Sequence, residues 1–351
     1  MKLENFIHNK PFVIAGPCSA ESENQVLKTA ENIQQNIDVF RAGVWKPRTK
    51  PNSFEGVGEK ALIWLQKVKE ETGLKVITEV ATAKHVEHCL EAGIDMLWIG
   101  ARTTVNPFYV QEIAEALRGT DTPVFVKNPI HPELSLWAGA LERLNQKGIT
   151  NLSAIHRGFF TYESSAFRNE PKWEVPIELK RNFPDLPIIC DPSHIAGDRS
   201  LIPELSQIAM DLDMRGLMIE THHNPTEAWS DANQQLSPKE LYSLLKGLVL
   251  RKRDFENDEL SIQLNKMRNL IDKLDKKTVD LLSSRTDLVK EIAEFKLKNN
   301  LTIFQLKRWF QILEMRKDQA VNLGLDQKMI SDIFELIHKY SIITQTKIMK
   351  K

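Results

Sequence analysis

Eight short apolar runs divide the first 250 residues, and each is too short for a helix of its own. They are FVIAGPC (12–18), VFRAGVW (39–45), KVITEV (75–80), MLWIGA (96–101), PVFVKN (123–128), LSAIHRG (152–158), PIICDPS (187–193) and GLMIETH (216–222). Continuous rather than alternating apolarity means burial on both faces, the pattern of parallel strands. Most gaps carry a helical period, as in TAKHVEHCLEAG (82–93), which ends on a glycine stop signal. The stretch after the sixth run is irregular to about residue 172. Strands that each lead into a helix or a long crossover spell an α/β fold, a (β/α)8 barrel, for which about 250 residues is typical.

Beyond that point the chain changes character. All 16 prolines and all but one of the 15 glycines precede residue 251; only Gly324 follows. Residues 251–351 hold 21 basic and 15 acidic side chains, a net of +6, which leaves −6 on the first 250. We therefore expect a barrel over 1–250, a charged linker over 251–259 (RKRDFENDE) and an all-helical domain over 260–351. The overall balance of 47 basic and 47 acidic residues gives no field to attract nucleic acid or a membrane surface. No apolar run is long enough to span a bilayer, and the opening MKLENFIHNK lacks a signal-peptide core. Three cysteines, Cys18, Cys89 and Cys190, suit a reducing compartment, so a cytoplasmic location is expected.

Barrel enzymes build their sites at the C-terminal ends of the strands. Those ends here supply Cys18, Lys46, Arg48, Glu79, Arg102, Lys127, Arg157, His194 and Glu220. Cations gathered in a half-buried rim need anionic partners, and arginine suits carboxylate or phosphate. The set predicts a pocket for one or two small substrates bearing those groups; the competing reading pairs individual cations with surface acids. Cys18, His194, Glu220 and Asp231 add a thiol, an imidazole and carboxylates, a mixture suited to a borderline divalent metal such as Mn, Fe, Co or Zn. The plain alternatives are a small core cysteine and a satisfied loop histidine.

The segments AGPCS (15–19), FRAGVWKPRT (40–49), GAR (100–102), VFVKN (124–128), HRG (156–158), DPSH (191–194) and IETH (219–222) together resemble the 3-deoxy-D-arabino-heptulosonate-7-phosphate (DAHP) synthases, in the compact subgroup that also includes sugar-acid synthases. The resemblance implies condensation of phosphoenolpyruvate with erythrose 4-phosphate. It implies phosphoenolpyruvate contacts at Arg41, Lys46, Ala101, Arg102, Lys127 and Arg157, and an aldose-phosphate segment at Lys46, Pro47, Arg48 and Thr49. It also implies metal ligation by Cys18, His194, Glu220 and Asp231, with manganese the first expectation. The related octulosonate-phosphate synthases act on arabinose 5-phosphate and lack the proline-arginine of KPRT, so this chain resembles the heptulosonate type.

Residues 260–298 read as one long helix. Leu264, Met267, Ile271, Leu274, Thr278, Leu281, Arg285, Leu288, Ile292 and Phe295 recur at alternating steps of three and four, a coiled-coil-like seam that calls for a partner helix. Arg285 on that seam reads either as a register-setting polar residue or as an anion site. Lys296 shares its helix face about 16 Å further along, whereas Arg268 lies roughly 25 Å back on another face. Two shorter helices, at about 305–322 and 326–349, follow; the second carries Ile330, Phe334, Ile337, Ser341, Thr344 and Ile348 on one face.

Arg268, Arg285, Lys296, Arg308, Ser341 and Gln345 stand at spacings that resemble the all-helical chorismate mutases. The resemblance implies an intertwined homodimer, larger assembly being open. It implies that Arg285 and a second subunit's Arg268 take the substrate carboxylates, that Lys296 and Gln345 face the ether oxygen, and that Arg308 and Ser341 complete the wall. Many members carry two acids where this chain has Gln305 and Trp309; the amide can still bond a hydroxyl, whereas an indole only donates. No glycine-rich dinucleotide loop is present, so no organic cofactor is expected. The expected whole is a bifunctional enzyme using phosphoenolpyruvate, erythrose 4-phosphate and chorismate. The alternative is a synthase whose helical domain senses ligand without catalysis.

Overall fold

The computed structural model describes residues 11–47, 54–162, 165–251 and 258–350. The chain divides into two compact units, Met1–Arg253 and Asp254–Lys351. Most of the sequence-predicted linker, at 252–257, and the opening ten residues lie outside the described residues.

In the first unit, β1 (Phe12–Gly16), β2 (Val39–Arg41), β3 (Lys75–Val80), β4 (Met96–Ile99), β5 (Val124–Lys127), β6 (Leu152–His156), β7 (Ile188–Cys190) and β8 (Gly216–Glu220) close into a parallel barrel in sequence order. Closure is made by β1 against β8, Phe12 facing Gly216 and Gly16 facing Glu220. Around it run α1 (Glu23–Ile33), α2 (Lys60–Thr72), α3 (Ala83–Glu91), α4 (Ala101–Thr104), α5 (Pro107–Ala116), α6 (Leu134–Gln146), α7 (Glu174–Asn182), α8 (Pro192–Ala196), α9 (Ile202–Asp211) and α10 (Pro238–Gly247).

Alternation along each strand divides the core. Phe12 and Ile14 point into the barrel with Val39, Ile77, Met96, Trp98, Phe125, Ile155, Ile189 and Met218. Val13 and Ala15 point outward into the larger layer under the helices. Both layers are buried, which is why the strand sequences read as unbroken apolar runs. Helix starts are set locally: Ser22 and Thr82 accept from the backbone N–H of Gln25 and His85, and Ser237 with Glu240 forms a reciprocal capping box.

The second unit consists of α11 (Asp258–Lys298), α12 (Leu306–Asn322) and α13 (Gln327–Met349). Ile330, Phe334, Ile337, Thr344 and Ile348 of α13 are half-buried and Ser341 is buried, as their shared face predicts. The α11 seam behaves differently. Leu274, Leu281 and Phe295 are 60%, 71% and 62% exposed, while Val289 and Ala293, one step around the helix, are buried. The inward face of α11 is thus the narrower stripe of Arg285, Val289, Ala293 and Lys296, and most of the wider apolar seam is left uncovered within the helical unit. No helix among the described residues is long and apolar enough to cross a membrane.

Candidate active sites

The barrel mouth brings together residues separated by more than 200 positions. Just beyond β1, the Cys18 thiol lies 3.2 Å from Asp231 Oδ2 in the loop after β8. Lys46, beyond β2, places its Nζ 2.8 Å from the same sulfur and 3.0 Å from the Cys18 carbonyl. At the end of β2, Arg41 donates to Glu220 Oε1 at 3.1 Å. Cys18, Glu220 and Asp231 offer donor atoms that all lie within 4.8 Å of one another. His194 stands beside them, its Nε2 3.6 Å from Glu220 Oε1.

Local structure fixes His194. Asp191 caps α8 by accepting the His194 backbone N–H on Oδ1. Its other oxygen lies 2.8 Å from His194 Nδ1 and accepts from Lys127 Nζ at 2.7 Å. One buried carboxylate therefore orients both a predicted metal ligand and a predicted phosphate ligand. It leaves His194 Nε2 facing the other donors, an arrangement common where imidazole binds a cation.

A cavity of about 330 Å³ opens next to this cluster, with Lys46, Arg102, Lys127, Arg157, His194 and Asp231 in its wall. Pro47 and Ala101 also line it. Trp98 lies beneath, with the Arg41 guanidinium 4.9 Å and Lys127 Nζ 5.6 Å from its ring. Glu79 accepts the Trp98 indole N–H at 3.2 Å and closes on Gly100, where any Cβ would meet its carboxylate at 2.0 Å. The buried nitrogens Nε and NH1 of Arg41 have no hydrogen-bond partner among the described residues.

Burial, and then Glu220, push the Cys18 thiol up to about 12. Burial would raise the Glu220 and Asp231 carboxyls as well, but neighbouring cations outweigh it: His194 and Arg41 for Glu220, Arg168 and His194 for Asp231, so both are held low. Burial lowers Lys127 and His194, with Asp191 opposing both shifts. One thiol, one imidazole and two ionised carboxylates fit a borderline divalent cation. The high thiol pKa means that such a cation would displace the Cys18 proton.

Every barrel residue singled out from the sequence and described here falls on this mouth. Arg48 and Thr49 lie outside the described residues. Sequence reasoning missed Asp191, Arg168, Gln234 and Gln235. Asp191 carried a signal in its DPSH segment, where an aspartate before proline marks a helix cap. Arg168 and the glutamines sit in irregular loops with no period to betray them.

In the helical unit, Arg285 NH1 donates to Ser341 Oγ at 2.7 Å, joining α11 to α13. A cavity of about 260 Å³ lies there, lined by Leu282, Arg285, Val289, Ile337, Tyr340 and Ser341 among others. Lys296, half-buried, donates to the Ile303 carbonyl at 2.6 Å. Gln345 is buried with its Oε1 lacking a partner among the described residues. Burial, then Arg316, lowers Arg285. Arg268 is exposed on α11, bonded at 3.4 Å to Asn265, while Gln305 and Arg308 are exposed at the start of α12. Trp309 stacks on His338, ring centroids 4.0 Å apart and planes at 12°, so the indole has a packing role.

A closed barrel with cations, carboxylates and a thiol converging at its C-terminal mouth defines a (β/α)8-barrel enzyme, here joined to a separate helical unit. The chain belongs to the DAHP synthetase I family, whose model matches residues 7–253, and it carries a chorismate mutase type II domain, matched over 267–346. It is 31% identical over 254 residues to a phospho-2-dehydro-3-deoxyheptonate aldolase of Thermotoga maritima, covering 72% of each chain. It is 27% identical to a 2-dehydro-3-deoxyphosphooctonate aldolase of Vesicomyosocius okutanii, covering 74% of this chain and all of that protein. The crystal structure of the Thermotoga maritima DAHP synthase superposes with a TM-score of 0.61 at 30% identity, over 67% of each chain. The protein is thus an enzyme of aromatic biosynthesis with a 3-deoxy-7-phosphoheptulonate synthase (transferase) domain and a chorismate mutase (isomerase) domain.

Proposed function

We propose that the barrel condenses phosphoenolpyruvate with erythrose 4-phosphate, and that Cys18, His194, Glu220 and Asp231 hold a divalent metal, manganese first, with cobalt, iron or zinc also compatible. The observation that carries this reading is the adjacency of the three-donor cluster to a cavity walled by Lys46, Arg102, Lys127 and Arg157. When bound, the metal supplies Lewis acidity toward the aldehyde oxygen. The cations bind the carboxylate and phosphate of phosphoenolpyruvate and hold its C3 against the aldehyde carbon. Lys46, together with Pro47, Arg48 and Thr49, receives the aldose phosphate, and Arg41, Ala101 and Lys127 complete the phosphoenolpyruvate contacts. The new carbon–carbon bond forms as water adds at C2 and phosphate leaves.

In the helical unit, Arg285 and Arg268 of a second copy bind the chorismate carboxylates. Lys296 and Gln345 stabilise charge on the breaking ether bond, while Gln305, Arg308 and Ser341 line the site. The reaction is intramolecular, so binding the reactive conformer and favouring developing charge suffice. A homodimer through the uncovered α11 seam supplies the second Arg268. The proposed setting is cytoplasmic. We further propose that prephenate, the product, restrains the barrel through the helical unit; Arg285→Ala in the full chain then abolishes that inhibition.

The decisive experiment assays metal-stripped protein for both reactions, with and without Mn²⁺. Condensation lost on stripping and restored by Mn²⁺, with chorismate turnover unaffected, supports the reading. Chorismate bound without turnover makes the helical unit a sensor. The octulosonate-type relatives motivate one competing substrate: condensation only with arabinose 5-phosphate replaces the barrel assignment.

A further inference from the structure

Two consecutive glutamines, Gln234 and Gln235, lie 1% and 0% exposed beneath the barrel mouth. Gln234 ends a short 3-10 turn and Gln235 continues in extended backbone, φ −87° and ψ 133°. Leu236 then runs beside β8, its N–H donating to the Glu220 carbonyl and its own carbonyl accepting from His222. The backbone changes from turn to extended between them, and the two amides serve different neighbours.

Gln235 accepts the Cys18 backbone N–H on Oε1 at 3.1 Å and donates from Nε2 to the Ser230 carbonyl at 2.8 Å. It therefore ties Cys18 to the residue that precedes Asp231. Gln234 donates from Nε2 to Glu220 Oε2 at 2.6 Å and accepts from Arg168 NH1 on Oε1 at 2.7 Å. The same Arg168 nitrogen pairs with Asp231 Oδ1 at 3.0 Å. Each donor of the cluster is thus reached by one amide, directly or through one intermediary. Asp231 itself has φ 50° and ψ 36°, a left-handed conformation that costs energy for a residue other than glycine and persists only where neighbours impose it.

We propose that Gln234 and Gln235 are positioning residues that set the spacing of Cys18, Glu220 and Asp231 for a cation. The proposal rests on the metal reading above and adds the residues that preorganise it. An amide side chain is neutral at every pH at which the protein is folded and carries its donor and its acceptor on adjacent atoms, as both sets of partners require. The partners determine each amide's orientation, since a backbone N–H and a guanidinium only donate while a carbonyl and a carboxylate only accept. Glutamate at 234 would set a third carboxylate against Glu220; at 235 it would face the Ser230 carbonyl with no proton to give. Leucine would strand the partners of either residue.

The test titrates metal-stripped full-length protein with Co²⁺ and follows the thiolate-to-cobalt absorption band, alongside wild type, Cys18→Ala, Gln234→Leu, Gln235→Leu and the isosteric Gln234→Glu and Gln235→Glu. The expected result is Co²⁺ affinity lower by about 10–100-fold in the variants. The Gln235 variants lose thiolate-band intensity, and the Gln234 variants keep it while their cobalt d–d bands shift. The glutamate variants preserve volume and keep the test valid if a leucine variant does not fold. Wild-type affinity and spectrum in folded variants overturn the proposal, and so does a lowered melting temperature of the metal-free variant with unchanged Co²⁺ affinity. A wild type without a thiolate band, or one that Cys18→Ala retains, overturns the metal reading and this proposal with it.

Discussion

The Lys46 ammonium sits 2.8 Å from the Cys18 sulfur while also lining the cavity. One side chain therefore touches both halves of the proposed chemistry, the metal donors and the anion pocket. Burial lowers the pKa of Lys46, but Cys18 and Glu220 outweigh it and the group is held above its ordinary value. It stays charged at neutral pH, and its positive charge is directed at the space between sulfur and cavity.

Replacing Lys46 by methionine keeps an unbranched side chain one atom shorter and removes that charge. Condensation is expected to fall by about 10²–10³-fold, while Co²⁺ still binds with a thiolate band. Steady-state kinetics with both substrates varied, paired with the absorption titration, checks this; a variant within threefold of wild type overturns the role.

Cysteine chemistry gives a second expectation. Cys18, Cys89 and Cys190 are all buried. Burial pushes Cys18 and Cys89 up to about 12 and raises Cys190 too. Thiolates are the reactive form, and a raised pKa leaves almost none near pH 8. Metal-stripped native protein should show no fast-reacting thiol toward a disulfide reagent, and three after denaturation. A rapidly modified thiol in the folded protein contradicts this arrangement.

Asp191 is the charge that Lys127 and His194 share. Burial alone would raise its carboxyl, but His194 and Lys127 hold it well below the usual range. A depressed carboxylate contributes stability above its unfolded pKa, about 3.9, and loses it as pH falls through the folded value. Asp191→Asn strands a buried ammonium, expected to cost about 3–5 kcal/mol. Urea unfolding should show that gap as constant between pH 5 and 8 and shrinking in stronger acid. A gap that widens on acidification would reverse the assigned sign.

The barrel was legible because its physics is local and repetitive. Burial on both faces makes strands such as Met96–Ile99 continuous apolar runs, and the strand-end rule then points to Glu79, Lys127 and Glu220. What escaped were residues whose role depends on distant partners. Gln235 bonds Cys18 across 217 positions, and nothing in NQQL announces it. The α11 seam was legible as a pattern, but its target was not: Leu281 belongs to it and is exposed, whereas Arg285, the next residue of the same seam, turns toward Ser341. Periodicity identifies an apolar face without saying which chain covers it.

That uncovered face yields the last prediction. Leu274, Leu281, Leu288, Ile292 and Phe295 are all exposed along α11, and burying a large apolar side chain is worth about 1.5–3 kcal/mol. Such a stripe on a helix of 41 residues is the face on which the proposed homodimer would pair. Leu274→Glu with Leu281→Glu places carboxylates in the seam, so the protein should sediment as a smaller species than wild type. Neither leucine bonds to Arg285, Lys296 or Gln345, so a monomer that kept full chorismate turnover would remove the need for a second subunit's Arg268. If Arg268 does complete the site, the seam variant should lose at least about 10²-fold in that activity. Arg268→Ala should lose a similar factor while remaining dimeric, and both should retain condensation. Sedimentation velocity and parallel assays of the two reactions separate these outcomes.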